Sequence, residues 1–397
     1  MTQNFSHNNP LFQQLIEAIR TAICTNAKTV ALHEPHLCGK EWEYIKDCLD
    51  SGWISSVGKY VDLFEENLAQ YTGMKRAVST VNGTAALQVC CRLVGVESGD
   101  EVLLPSLTFV ATANAVHYSG GIPHFVDCDE NTLGVSPSVL RTYLRENTEL
   151  RSGNCFNKKT GRRIRALIAV HVFGHPVDLD ALMQICSDFK IEFIEDATES
   201  LGSQYKGRHA GTYGKVSVLS FNGNKIISTG GGGAILTNDT TLADQAKHLT
   251  TTAKQKHPWR YFHDQIGYNF RLPNINAALG CAQLEQIDFF VSKKRALAER
   301  YKMAFSKVAG VKFFKEPPFA KSNYWLNAFL FDTPDQIRND AFLEYAHHCG
   351  LMLRPAWTLM HRLPMYKTCP RADLSVSENI EARLINLPSS SQLGRFC

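Results

Sequence analysis

Short apolar runs alternate with helically periodic stretches through roughly the first 290 residues. Apolar runs at 102–104, 166–170, 191–194 and 216–219 each lead into a turn or a polar residue, which is typical of buried strands. Helices that alternate with buried strands predict an α/β fold, with a mainly parallel sheet sandwiched by helices. In such a sheet, ligands bind beyond the carboxyl ends of the strands.

Two segments depart from this alternation. Residues 145–165 are polar and basic, which predicts a surface insertion between a helix and a strand. Residues 276–308 predict one long helix that leads into a second apolar core, with Phe329, Phe331, Ile337, Phe342 and Tyr345 as its candidates. We therefore expect a large domain over residues 1–290 and a smaller α+β domain over residues 291–397.

Composition narrows the possible partners. The 397 residues carry a formal net charge of only +4, which does not favour a nucleic-acid partner. Residues 1–10 lack a basic start followed by an apolar run, and no apolar run is long enough to cross a bilayer. We expect a cytoplasmic protein with no nucleic-acid or membrane partner. No set of His, Cys and Asp has zinc-site spacing, so we predict no metal.

The first candidate site is the segment 82–87, Asn-Gly-Thr-Ala-Ala-Leu, between an apolar run and an amphipathic stretch. Glycine allows close approach of a ligand, and a helix N-terminus offers unpaired N–H groups to an anion. The segment therefore predicts a phosphate site. A plain helix cap explains the same pattern equally well.

The second candidate is Asp196, just after the predicted strand 191–194. A carboxylate in this place can hold a protonated ring nitrogen through a charge-assisted hydrogen bond. Taken alone, such a residue is more often a helix cap or a surface acid.

The third candidate is Lys225, in a turn rich in Gly and Asn that follows the run 216–219. Four consecutive glycines at 230–233 follow shortly after and suggest a phosphate loop. The order of a nucleotide-binding P-loop is absent, because the lysine precedes the glycines and Ile226 follows it.

Taken in this order, the clusters resemble the DegT/DnrJ/StrS family of pyridoxal-phosphate-dependent sugar aminotransferases. The resemblance covers nearly the whole chain and is carried by residues 52–58, 82–87, 105–109, 195–197, 220–225 and 267–271. It implies a fold-type I enzyme that works as a homodimer with sites shared between subunits. It also implies pyridoxal 5'-phosphate as the cofactor.

The resemblance assigns roles to residues around the cofactor ring. Lys225 matches the lysine that forms the Schiff base, and Asp196 matches the partner of the pyridine nitrogen. Phe109 matches the aromatic residue that lies over the ring. Glu199 stands where many relatives have glutamine near the phenolic oxygen. A carboxylate there would repel a phenolate unless one of the two groups is protonated.

The resemblance also implies a phosphate site. Gly83, Thr84 and Ser220 match positions that bind the cofactor phosphate from one subunit. Asn269 matches an asparagine that the other subunit offers to that phosphate.

The expected reaction moves an amino group from L-glutamate to the C4 ketone of a nucleotide-linked keto sugar. Residues 154–163, 171–176 and 250–254 resemble the enzymes that aminate a UDP-linked 4-keto-6-deoxy-N-acetylhexosamine. The same chemistry on a GDP- or dTDP-linked sugar, or at C3, is the first alternative. A non-catalytic sensor that binds the cofactor is an alternative of another class. In related sugar dehydratases a histidine replaces the lysine, and Lys225 argues against that reaction.

Overall fold

The computed structural model describes residues 9–394 of the chain. Residues 1–8, on which the expectation of no secretory signal partly rests, lie outside the described part, as do residues 395–397. The helices are α1 (Pro10–Ile23), α2 (Glu41–Ser51), α3 (Lys59–Thr72), α4 (Gly83–Leu93), α5 (Val110–Tyr118), α6 (Pro137–Asn147), α7 (Leu179–Phe189), α8 (Thr240–Thr250), α9 (Asn274–Leu284), α10 (Ile287–Phe305), α11 (Gln336–His348) and α12 (Ser375–Glu381). Among residues 9–394, no helix is both long and apolar enough to cross a membrane.

The strands form a large sheet, a smaller sheet and a short three-stranded ribbon. They are β1 (Arg76–Thr80), β2 (Glu101–Pro105), β3 (Ile122–Val126), β4 (Thr148–Arg151), β5 (Asn154–Asn157), β6 (Arg163–Val170), β7 (Glu192–Asp196), β8 (Gln204–Tyr205), β9 (Arg208–His209), β10 (Val216–Ser220), β11 (Gly233–Thr237), β12 (Val311–Phe313), β13 (Ala320–Lys321), β14 (Asn327–Phe331), β15 (Arg354–Pro355) and β16 (Leu384–Leu387). The order in the large sheet is β1-β11-β10-β7-β6-β2-β3.

The large sheet is mainly parallel, as predicted. The pairs β10–β7, β7–β6, β6–β2 and β2–β3 are parallel, and β11 runs antiparallel to both of its neighbours. Helices cover both faces of the sheet. Successive strand residues point to opposite faces, so neighbours on β10 pack against different helices. Val218 packs into the cluster that includes α4, α5 and α8, whereas Leu219 packs into the cluster with α3 and α9. This arrangement confirms the expected fold class.

The basic segment 145–165 lies between α6 and β6 and has many exposed residues, which agrees with the predicted surface insertion. It contains the hairpin β4–β5, which joins the large sheet through antiparallel pairing of β5 with β6. The side chain of Asn157 donates to the fully buried Glu101 at 2.9 Å, and that contact anchors the hairpin. The hairpin pairs with Arg163 and Ile164, at the start of β6, so it lies away from the carboxyl ends of the parallel strands.

The smaller sheet has the order β12-β14-β16-β15 and is antiparallel. Its core includes residues of α10, α11 and also α1, so the amino-terminal helix packs with C-terminal elements. The predicted long helix is instead two helices, α9 and α10. They separate at Glu285 and Gln286, whose side chains hydrogen-bond to Tyr44 and Glu41 of α2. The domain division at residue 290 stays a prediction.

Candidate active site

One cavity of about 380 Å³ lies beyond the carboxyl ends of β1, β2, β7 and β10. Seven of the eight residues expected at the cofactor line it, namely Gly83, Thr84, Phe109, Asp196, Glu199, Ser220 and Lys225. They come from four separate stretches of the chain, at 83–84, 109, 196–199 and 220–225. The sheet topology therefore brings together the three clusters that the sequence singled out.

The corner of the cavity next to Ser220 is built for an anion. Thr80 at the end of β1 and Ser220 at the end of β10 both pair with Gly233 of β11. A Cβ atom on Gly233 would lie 2.6 Å from the backbone carbonyl carbon of Asn82. Only glycine at 233 therefore lets the chain after β1 pass so close to the sheet.

The same corner receives the N-terminus of α4. The side chain of Asn82 accepts a hydrogen bond from the N–H of Ala85 at 2.8 Å and so caps the helix. The N–H groups of Gly83 and Thr84, in the first turn, have no acceptor within the helix. A Cβ on Gly83 would lie 3.2 Å from the Cβ of Ser220, which shows how closely the two segments meet. Such a corner suits a phosphate group.

Asp196, at the end of β7, is held in a fixed orientation. One carboxylate oxygen accepts from the hydroxyl of Thr112 at 2.8 Å, and the other accepts from the hydroxyl of Thr198 at 2.7 Å. The residue is only 2 % exposed, yet it lines the cavity. A buried carboxylate oriented in this way can bind a protonated ring nitrogen.

Lys225 lies in the turn after β10, where its N–H donates to the carbonyl of Asn222 at 2.9 Å. Its Nζ lies 3.3 Å from Oε1 of Glu199 and 3.8 Å from the centre of the indole ring of Trp325. The amine is therefore flanked by a carboxylate and by an aromatic face, and both attract a cation.

Glu199 is buried between charged groups of both signs. Burial raises the pKa of Glu199; the charge of Lys225 and the N–H of Phe173 lower it, Asp196 raises it again, and the net shift is upward. The N–H of Phe173 donates to Oε2 at 2.8 Å. The chain thus has a carboxyl group in this cavity that takes up a proton more readily than an exposed one.

Two tryptophans that the sequence did not single out line the cavity. Trp325 contacts Lys225, and its indole N–H donates to the carbonyl of Asn224 at 2.7 Å. Trp357 packs between Phe173 and Phe109, with ring centres 4.8 Å and 6.1 Å away. Phe109 is 52 % exposed, so it is not an ordinary core aromatic residue.

Three polar residues from the segments that carry the family resemblance, 171–176 and 267–271, lie outside this cavity. Asn269 is exposed, and its side chain accepts from Arg271 at 3.0 Å. His171 is buried and hydrogen-bonds to Glu195 at 3.0 Å, which is a structural role. His175 is buried against Phe314 and Tyr324. Within the described residues, no group of three or more His, Cys, Asp and Glu could hold a metal ion.

The fold and the site define a pyridoxal-phosphate-dependent aminotransferase, and comparison with known proteins agrees. The family model described as the DegT/DnrJ/EryC1/StrS aminotransferase family matches residues 35–395. The chain belongs to this family, whose enzymes are sugar aminotransferases that use pyridoxal 5'-phosphate.

Relatives and solved structures match over almost the whole chain. The GDP-perosamine synthase of Escherichia coli O157:H7 is 37% identical over 92% of this chain and 94% of its own. The GDP-perosamine synthase of Vibrio cholerae is 34% identical over 91% and 94%. Among solved structures, Helicobacter pylori PseC, an aminotransferase involved in pseudoaminic acid biosynthesis, superposes with a TM-score of 0.82. It is 26% identical and covers 91% of this chain and 94% of its own.

Proposed function

We propose that this protein transfers the amino group of L-glutamate to the C4 ketone of a GDP-linked keto sugar, for the synthesis of a surface polysaccharide. The observation that carries the proposal is the single cavity that joins Lys225, Asp196 and the anion corner at Gly83 and Ser220. Support for a GDP-linked acceptor comes from the relatives named as GDP-perosamine synthases. The UDP-linked sugar favoured by the sequence is the competing acceptor.

The residues of the cavity fit the cofactor. Lys225 would hold it covalently, Asp196 would bind its ring nitrogen, and Phe109 would lie over the ring. Gly83, Thr84 and Ser220 would bind its phosphate. When bound, the cofactor supplies an electron sink for the bond that breaks at the amino-bearing carbon.

Lys225 is the group that moves the proton. With its amine free, Lys225 would act as general base toward the amino-bearing carbon of the donor and would hold that proton for delivery to the carbon on the other side of the nitrogen, two bonds away. Asp196 would hold the protonated ring nitrogen, because its carboxylate is buried and already oriented by two threonines.

Glu199 stands where many relatives have glutamine, and it fits that position in its protonated form. A carboxyl with a raised pKa can donate a hydrogen bond to a phenolic oxygen and thereby avoids repulsion between two anions. In the structure the same carboxyl pairs with Lys225. Glu199 would therefore change partner when Lys225 holds the cofactor.

A homodimer would complete the site. Asn269 does not line the cavity of its own chain, and apolar side chains are exposed in the segment that precedes it and at the cavity. They are Phe109, Trp259, Tyr261 and Ile266, exposed by 52%, 75%, 81% and 79%. These surfaces are suited to a second copy that offers its Asn269 to the phosphate.

Mixed dimers test the shared site. We expect Lys225→Ala to be inactive and Asn269→Ala to be weak, and a hybrid dimer keeps one intact site if Asn269 acts across the interface. Mixing equal amounts under exchange should therefore restore about one quarter of wild-type activity. No restoration, although hybrids form, would place Asn269 in its own subunit's site or outside any site.

A product assay tests the reaction. Purified protein is incubated with L-glutamate and GDP-, UDP- and dTDP-linked 4-keto sugars, and amino-sugar products are identified by mass spectrometry and NMR. We expect amination at C4 of the GDP-linked sugar and none with Lys225→Ala. Preference for the UDP-linked sugar would overturn the proposal that the acceptor carries GDP. A visible cofactor band that glutamate never bleaches, with no product from any sugar, would support a sensor.

A further inference from the structure

One buried amide joins the two groups that flank the Lys225 amine. Asn323 is fully buried. Its Nδ2 donates to the carbonyl oxygens of Glu199 and Leu201, at 2.9 Å each. Its Oδ1 accepts from the N–H of Trp325 at 2.7 Å. The amide therefore ties the loop after β7 to the segment that carries the indole ring.

In this segment the chain passes from the elements around the large sheet to the smaller sheet. β13 pairs with β8, next to the loop of Glu199, and β14 belongs to the smaller sheet. Trp325 lies between these strands. Its carbonyl accepts from the buried Lys294 at 3.1 Å, and its indole donates to the carbonyl of Asn224, the residue before Lys225. Trp325 is thus held from three directions, and Asn323 provides the link to Glu199.

Strained backbone surrounds the same amide. Tyr324, between Asn323 and Trp325, has a φ of 49°, and Phe173, whose N–H binds Glu199, has a φ of 56°. Residues with side chains adopt this left-handed region only where their surroundings hold them there, and such positions cluster at functional sites. Gly174 has a φ of +92°, and a Cβ on it would lie 2.0 Å from Oδ1 of Asn323. No side chain fits at 174 while Asn323 keeps its place.

We propose that Asn323 is a positioning residue for Lys225. The side-chain amide of Asn323 sets the separation between the Glu199 carboxylate and the Trp325 ring, and this separation fixes the position of the Lys225 amine. The inference rests on the proposed role of Lys225 and adds a residue that touches neither cofactor nor substrate. Because a displacement of about 1 Å can lower the rate of a positioned reaction about 10²-fold, such a link has a measurable effect.

The isosteric variant Asn323→Asp isolates the link. It keeps the acceptor for Trp325 and replaces the amide donors with an oxygen that faces the carbonyls of Glu199 and Leu201. Ser322→Ala is the matched control. Ser322 is equally buried in the same turn and donates to the carbonyl of Gly174, but it has no hydrogen bond to Glu199 or Trp325.

The first readout uses cofactor-free protein. A small amine-directed reagent modifies Lys225, and peptide mass spectrometry follows the rate. We expect Asn323→Asp to raise this rate about tenfold, because the amine loses a desolvated cation–π contact. Ser322→Ala should stay within about twofold of wild type. Equal rates in wild type and Asn323→Asp would overturn the proposal.

The second readout uses the loaded enzyme. The pH midpoint of the visible absorbance should shift in Asn323→Asp and not in Ser322→Ala. The rate of the half-reaction with glutamate should fall about 10²-fold with little change in KM. An unshifted midpoint with a wild-type half-reaction contradicts the proposal. If Asn323→Asp is too unstable to purify, Asn323→Ser is judged by the same two readouts. None of them needs the sugar, so a failed sugar assay leaves this test decisive.

Discussion

Replacing Lys225 with methionine removes one partner of a buried ion pair and keeps the side-chain volume. The two side chains are 11% and 3% exposed, and the charged atoms are 3.3 Å apart. Leaving one charge buried and unpaired costs about 3 kcal/mol or more. Glu199 can lower that cost by binding a proton, since its pKa already lies above the ordinary 4.5 and Lys225 is the largest influence that opposes the rise from burial.

The stability of Lys225→Met depends on pH through the protonation of Glu199. In Lys225→Met, the folded-state pKa of Glu199 lies further above its unfolded value. Between these two pKa values the folded protein binds more protons than the unfolded chain, so stability falls as pH rises. We expect the variant to be within about 1 kcal/mol of wild type near pH 4 and to lose about 3 kcal/mol by about pH 8.

Urea unfolding of cofactor-free protein at several pH values measures this difference. The double variant Lys225→Met/Glu199→Gln should lose the added pH dependence, because no ionisable group is left at the pair. Lys247→Met, which breaks the more exposed pair with Glu65, is the control and should cost less than about 1 kcal/mol. A destabilisation by Lys225→Met that is equal at both ends of the pH range would refute the reasoning, as would a double variant that keeps the slope.

Three further predictions concern single residues. Asp196→Asn should retain the fold and lower kcat by about 10²-fold or more, because the charge that holds the ring proton is lost. Gly233→Ala should weaken cofactor affinity, measured by equilibrium dialysis, because its Cβ would meet the backbone of Asn82; Gly231→Ala, with nothing within 4 Å, should not. Burial lowers the pKa of His175 to about 3, so stability is lost as pH falls below the ordinary 6.5, and His175→Phe should reduce the loss of melting temperature on acidification.

The strands around the site could be predicted because they are buried on both faces. The apolar runs at 102–104, 166–170 and 216–219 correspond to β2, β6 and β10. Their carboxyl ends were the right place to search, since a parallel sheet collects these ends at one edge. The hairpin β4–β5 was missed because its residues are polar, and its pairing depends on a buried contact between Asn157 and Glu101.

The residues that surround the Lys225 amine were harder to predict. Trp325 is a hundred positions away in sequence and lies in a turn with no repeating pattern. Its place against the lysine results from long-range hydrogen bonds of Asn323 and Lys294. Local periodicity carries no information on such contacts. The sequence alone showed that Glu199 replaces the glutamine of many relatives and would repel a phenolate. Its raised pKa, however, depends on burial that only the fold reveals.

Reductive trapping of the bound cofactor tests the role of Lys225. Borohydride reduction of the loaded enzyme, followed by proteolysis and tandem mass spectrometry, locates the lysine that carries the cofactor. We expect one stable adduct, on Lys225, which is absent when the enzyme is first converted with L-glutamate. An adduct on another lysine, or none from a yellow protein, would contradict this role.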